Sequence, residues 1–273
     1  MQWTDHAWTE ELGVDLGISG RRAIVCASSQ GLGLACAVAL AQEGVDVAIN
    51  GRDEERLAAA AKTVKEHAAG GEVRAVQADI TTDEGREALL SAWDEPDILI
   101  TNNRGPKPIY FLDASLADLE QAMLLHYWTP LALVRAVIDG MRARKFGRIV
   151  SITSAMVASP HPSQAPSAAA RTALWAVMKG LSKTVAIDNV TINQLLPQRI
   201  DSPRQIEVAR AYMKEANITF EEARRMQAED MPTGRMGLPS EFAAACAFLC
   251  STHAAYISGT SLRLDGGDYR GLI

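Results

Sequence analysis

Short apolar runs rich in β-branched residues recur along the chain, separated by longer segments whose apolar positions repeat every three or four residues. The runs RRAIVCA (21–27), VDVAIN (45–50), EVRAVQA (72–78), DILIT (97–101), GRIVSIT (147–153), VTINQLL (190–196) and SLRLDGG (261–267) read as strands. The segments between them predict helices near 31–43, 53–68, 82–93, 115–144, 165–187 and 239–250. These strands are continuously apolar rather than alternating, so both faces of their sheet must be covered. Regular alternation of strand and helix then implies an α/β fold, a doubly wound parallel sheet of seven strands flanked by helices. No linker, low-complexity tract or repeat interrupts the pattern. One domain over 18–273 is expected, preceded by an arm over 1–17.

One stretch departs from the rhythm. Between the sixth strand and the last helix, about forty residues of helical character occupy roughly 201–236. Thr219 and Glu222 stand at capping-box spacing, which starts a second short helix there. An insertion past the carboxyl end of a strand lies where open α/β sheets bind ligands, so it reads as a lid over a substrate. The plainer alternative is surface packing.

Composition narrows the classes. The chain has 273 residues, a net charge of −6 and an isoelectric point near 5.5, which argues against a general nucleic-acid surface. No apolar run reaches the ~18 residues of a membrane span. The start, MQWTDHAWTEELGVD, lacks the basic and apolar regions of a signal peptide. Cys26, Cys36, Cys246 and Cys250 form no CxxC pair and read as small buried apolar residues; no metal site is expected. A reduced, cytoplasmic protein fits these features.

The first strand runs into CASSQGLG and a helix. There Gly31 and Gly33 allow a tight turn and close approach of a pyrophosphate, cradled by Ser28, Ser29, Gln30 and Leu32 at the helix N-terminus. A strand–helix turn without ligand is the alternative. The second strand ends in Asn50-Gly51-Arg52, where an NAD site would place a carboxylate on the ribose 2′-hydroxyl. Asn50 repels no phosphate and Arg52 can bind one, so NADP(H) is preferred over NAD(H). Arg52 could instead pair with Glu54 or Glu55. Asp79 and Ile80, ending the third strand, could reach the adenine.

Together these motifs resemble the short-chain dehydrogenase/reductases, in particular their 3-oxoacyl-acyl-carrier-protein reductase-like branch, over roughly residues 18 to 270. CASSQGLG stands where that family has TGxxxGIG, with Ala27 replacing the first Gly, and NGR matches an NADP-type strand end. KFGRIVSITS matches the strand carrying the family's catalytic Ser, here Ser154. LPQRIDS lies where PGxxxT holds the nicotinamide, which puts Pro197, Ile200 and Ser202 near it. GRMGLPSEFAAACAFLCSTHAAYISGTSLRLDGG follows the family's C-terminal stretch closely. The resemblance implies a Rossmann-type fold, a carbonyl/alcohol oxidoreductase acting on a small molecule, and a homotetramer or homodimer built on the long central helices. Trp128 and the AAACAFLC helix are compatible with such contacts, and Trp3 and Trp8 in the arm either pack on a neighbour or stay unstructured.

The family's Tyr and Lys are missing. Their positions hold Ser167 and Arg171, and no Tyr occurs between Ser154 and Tyr212. His126 occupies the position of the family Asn. The NNAG loop reads Thr101-Asn102-Asn103-Arg104 in one register and Asn102-Asn103-Arg104-Gly105 in the other, so in both Arg104 enters a loop that runs along the cofactor in relatives. Serine is a poor general acid. Histidine titrates in the right range, though an adjacent Arg171 would weaken it as an acid. The expected chemistry therefore has His126 or an ordered water supply the proton while Ser154 and Arg171 hold the oxyanion. A lone His in AMLLHYWTPLAL is as readily a satisfied core or interface residue. Arg104, Lys107, Arg171 and Arg199 around the strand ends point to an anionic substrate or an acyl thioester, unless they face water. A silent or repurposed nucleotide-binding partner or sensor, or a lyase- or isomerase-type step, are the competing readings.

Overall fold

The computed structural model describes residues 14–272; Trp3, Trp8 and most of the predicted arm lie outside them. Seven strands form one parallel sheet in the order β3-β2-β1-β4-β5-β6-β7. They are β1 (Arg22–Val25), β2 (Asp46–Gly51), β3 (Val73–Gln77), β4 (Ile98–Thr101), β5 (Gly147–Ile152), β6 (Val190–Pro197) and β7 (Ser261–Leu264). Every predicted strand is present. Successive residues of a strand point to opposite faces, and the two core clusters follow that alternation. Ala23, Val25, Ile98, Ile100 and Val150 face one cluster; Ile24, Cys26, Leu99 and Ile149 face the other. The first cluster packs under α1 (Gly31–Gln42), α2 (Glu54–His67) and α9 (Pro239–Cys250). The second packs under α3 (Asp83–Leu90), α5 (Thr129–Ala143) and α6 (Ala165–Val185).

The cysteines are all free and buried, and burial pushes the Cys26 thiol up to about 12. Most apolar residues of α9, including Cys246 and Cys250, pack within the chain rather than on its surface.

The helix expected over 115–144 is not uniform. α4 (Leu116–Met123) gives way to one π-turn, Leu124–Trp128, before α5 continues. The Thr129 N–H reaches back to the Leu124 carbonyl, and the Thr129 hydroxyl donates to the same oxygen at 2.7 Å. Such a bulge rotates the side chains within it and is found often at functional sites. Here it turns His126 into the interior.

The insertion is a helix pair, α7 (Pro203–Ala216) and α8 (Phe220–Glu229), with the Thr219–Glu222 capping box closed in both directions. Asn217, in the left-handed conformation, ends α7. Among the described residues no helix is long and apolar enough to cross a membrane.

Candidate active site

Chain order reverses between β1 and β4, and a crevice opens past the strand ends at such a switch point. A cleft of about 1460 Å³ lies there, lined by the glycine turn, the ends of β2 to β6, and the inner face of α7 and α8. It brings together nearly all the sequence-predicted residues: the turn from Ser29 to Leu32, Asn50, Arg52, Asp79, Ile80, Asn102, Arg104, Ser154, Ser167, Arg171, Pro197, Ile200 and Ser202.

The turn is built for close approach. Gly31 has φ +62°, and a Cβ on Gly33 would lie 2.6 Å from the Ala27 carbonyl oxygen. Ala27 itself sits at φ +45°, a conformation that costs a non-glycine residue about 1 kcal/mol. Gln30 caps α1 without a side-chain hydrogen bond, so the first-turn N–H groups are open to an anion. These features fit the pyrophosphate of a dinucleotide.

Two predicted cofactor contacts need correction. The Ser28 hydroxyl is buried, donates to the Val25 carbonyl at 2.6 Å and accepts from Asn50 N–H at 2.9 Å. The Asn50 amide, also buried, donates to the carbonyls of Val76 and Ala78 and accepts from Ala27 N–H. Both side chains lock the ends of β1, β2 and β3 together and have little left to offer a ribose. Ile80 and Ile200 are core residues, so they could meet a ligand only through their edges or backbone. Arg52 pairs with Asp79 at 3.3 Å rather than with Glu54 or Glu55. Burial would raise the Asp79 carboxyl, yet the Thr81 and Arg52 hydrogen bonds outweigh it and hold the group below its ordinary range.

At the carboxyl end of β5, Arg171 donates from Nη1 to the carbonyls of Ile152 (3.2 Å) and Thr153 (2.8 Å), and from Nε to the Ser167 hydroxyl (3.3 Å). Its Nη2 lies 3.4 Å from His126 Nε2. A guanidinium only donates, so this nitrogen of the imidazole must be the acceptor and unprotonated. Burial, then the Arg171 charge, push the His126 pKa down to about 2. The ring is neutral at physiological pH, and its expected service as a proton donor is corrected accordingly. Ser154 caps the short 3₁₀ turn Ala155–Val157, accepting from Met156 N–H, which leaves its own proton free to donate. Behind His126 and Arg171, a cavity of about 10 Å³ lined by Thr101, Asn103, Thr129 and Thr153 has room for one water.

The loop after β4 sets a glycine against His126 and Arg171. A side chain at Gly105 would come within 3.5 Å of His126 Nε2 and 3.9 Å of Arg171 Nη2, so the bare position is the one against the site. Arg104, 63% exposed, stands at the rim of the cleft and pairs with Glu207 of α7 at 3.2 Å. Of the other expected cations, Arg199 is paired with Asp230 at 3.0 Å and Lys107 is exposed. Sequence reasoning missed Arg204, which lines the cleft from the first turn of α7. Its position inside the insertion carried no motif.

Residues 26–268 match the family model described as enoyl-(acyl carrier protein) reductase. The uncharacterized oxidoreductase YvaG of Bacillus subtilis is 29% identical over 92% of this chain and 97% of its own. The 3-oxoacyl-acyl-carrier-protein reductase FabG of Rickettsia bellii is 28% identical over 92% of this chain and 98% of its own. Among solved structures, L-sorbose reductase from Gluconobacter frateurii, complexed with NADPH and L-sorbose, superposes with a TM-score of 0.88 at 31% identity. That superposition covers 94% of this chain and all of the other. With its sheet order, its glycine turn and a match that runs nearly end to end, the chain belongs to the short-chain dehydrogenase/reductase family.

Proposed function

We propose that the protein is an NADP(H)-dependent oxidoreductase that interconverts a carbonyl and an alcohol on a small molecule, with Ser167 and Arg171 in place of the family's Tyr and Lys. The observation carrying this reading is the gathering of Ser154, Ser167 and Arg171 at the end of β5, in the cleft that also holds the glycine turn. A nicotinamide held beside Pro197 and Ser202 would supply or take up the hydride at the substrate carbon. The chain's own residues do the rest. Ser154 and Arg171 donate to the substrate oxygen and stabilise charge developing there. Neutral His126 accepts from Arg171 and keeps its fork aimed at the strand end, a positioning role. Ser167 steers the same guanidinium through Nε, and solvent supplies the proton. Arg52, at the exposed end of β2, serves the 2′-phosphate and exchanges Asp79 for it. The L-sorbose reductase complex with NADPH is consistent with that cofactor. A homodimer or homotetramer is proposed from family membership.

Titrating tryptophan fluorescence with NADPH and with NADH tests the reading. NADPH should bind at least tenfold tighter, about 1.4 kcal/mol. If neither cofactor bound, the oxidoreductase would be ruled out. The absent Tyr and Lys favour a second reading, a nucleotide-binding homologue without turnover, which predicts NADPH binding and no oxidation with any carbonyl.

A further inference from the structure

Three guanidinium groups converge where the lid helices meet the strand ends. Arg104 and Arg204 both line the cleft, one from the loop after β4 and one from the first turn of α7. Glu207, one turn along α7, accepts from both: Arg104 Nη2 at 3.2 Å and Arg204 Nη1 at 3.4 Å. It is not among the residues lining the cleft, so it backs the two arginines from outside. Arg204 Nη2 also reaches the Pro106 carbonyl at 3.5 Å and so ties the start of α7 to that loop.

Beneath them Arg171 makes hydrogen bonds but no ion pair with any carboxylate among the described residues. Burial and then the positive charge of Arg204 push its pKa down to about 10, the direction expected when cations crowd one another. Of the other acids on the cleft wall, Asp53 pairs with Arg56, Asp79 with Arg52 and Asp230 with Arg199, Asp268 accepts from Gln198, and Glu215 stands about three turns along α7 from Arg204. Arg104, Arg171 and Arg204 against Glu207 alone leave this corner two charges positive. An excess of planar forks facing a cleft favours a bound carboxylate, which accepts two parallel hydrogen bonds from each fork. The amino end of α7 adds its dipole in the same direction, and Ser202 caps it without a side-chain hydrogen bond.

We infer that this corner is a carboxylate receptor: the substrate is an oxo or hydroxy acid whose carboxylate is held by Arg204 and Arg104, with its carbonyl toward Ser154 and Ser167. The inference rests on the carbonyl/alcohol reading above and names its substrate class. Glu207 is then a resident counter-charge that orders the two arginines and competes with the substrate for them.

The test is calorimetric titration of the full chain, with and without NADPH, using pyruvate, acetoacetate and levulinate, which space the carbonyl differently from the carboxylate, and uncharged methyl acetoacetate. At least one acid should bind tenfold or more tighter than the ester, and Arg204→Met should abolish that advantage while leaving NADPH affinity unchanged. Glu207→Gln provides the sharper arm. A receptor gains several-fold in acid affinity when its resident competitor is removed, whereas a mere lid latch loosens and loses affinity. Equal binding of acid and ester, no binding of any acid, or weaker acid binding by Glu207→Gln would each overturn the inference. Loss of NADPH binding alone would count instead against the oxidoreductase reading, since the titrations without cofactor stand apart from it.

Discussion

At His126 two forces act in one direction. Burial strips the water that would solvate an imidazolium, and the Arg171 guanidinium 3.4 Å away repels one. The consequence for stability has a definite sign. In the unfolded chain the ring titrates near 6.5, and in the folded protein at about 2, so between these values the unfolded state binds the extra proton. Stability contributed by the neutral ring is complete above 6.5 and declines as pH falls. By pH 5 the loss is about 2 kcal/mol relative to alkaline pH. Denaturant titrations across pH 5 to 8 should show this slope in the wild type and a flatter one in His126→Gln; an unchanged slope would mean that the proton is taken up elsewhere. The other described histidines, His67, His161 and His253, are exposed. Sequence placed His126 in an apolar helix but could not say which neighbours faced it. Its chemistry depends on Arg171, 45 residues away along the chain.

Among the elements, β5 has the candidate site gathered past its carboxyl end, and its two ends are held by arginines of opposite purpose. At the carboxyl end Arg171 binds the carbonyls of Ile152 and Thr153 and faces the cleft. At the amino end Arg148 is 1% exposed and donates to the carbonyls of Gly147, Asn189 and Ser251. It stacks over Phe146 at 4.3 Å and ties the strand to the last turn of α9. Arg148→Met keeps much of the volume but withdraws a donor from three carbonyls, of which that of Asn189 keeps the Gly147 N–H, at about 1 to 3 kcal/mol for each buried group left unpaired. A net destabilisation of about 3 kcal/mol is expected in equilibrium unfolding, and a change below ~1 kcal/mol would show that water replaces the guanidinium. GRIVSIT was legible as a strand from its apolar run. That its Arg turns inward was not, because the apolar pattern assigns a cation to solvent by default. The π-turn at Leu124–Trp128 was hidden for a similar reason, since one extra residue shifts the helical period too little to stand out over thirty residues.

Over the whole molecule, stability is unevenly spread. The strands from β1 to β6 are almost wholly buried apart from β3, whereas α7 buries only Ala209 and α8 only Ala223 and Gln227. Ion pairs such as Arg224–Asp201 and Arg104–Glu207 hold this pair of helices, and exposed pairs contribute little. Hydrogen exchange should therefore be faster over 203–229 than over β4 to β6, with protection of α7 rising when NADPH and an oxo acid are present. Equal protection of the helix pair and the sheet would show that it is no separate unit and weaken the lid reading. By itself, the sequence determined the sheet, its covering helices, the glycine turn and the missing Tyr and Lys, because each of these is written in local periodicity or in a motif of fixed spacing. Only the tertiary structure decided that Ser28 and Asn50 lock strands, that Arg104 stands at the cleft rim while Gly105 sits against His126, that His126 is neutral, and that Arg204 joins Arg104 and Arg171. Those outcomes depend on burial and on charges brought together by distant segments. Local sequence patterns report neither.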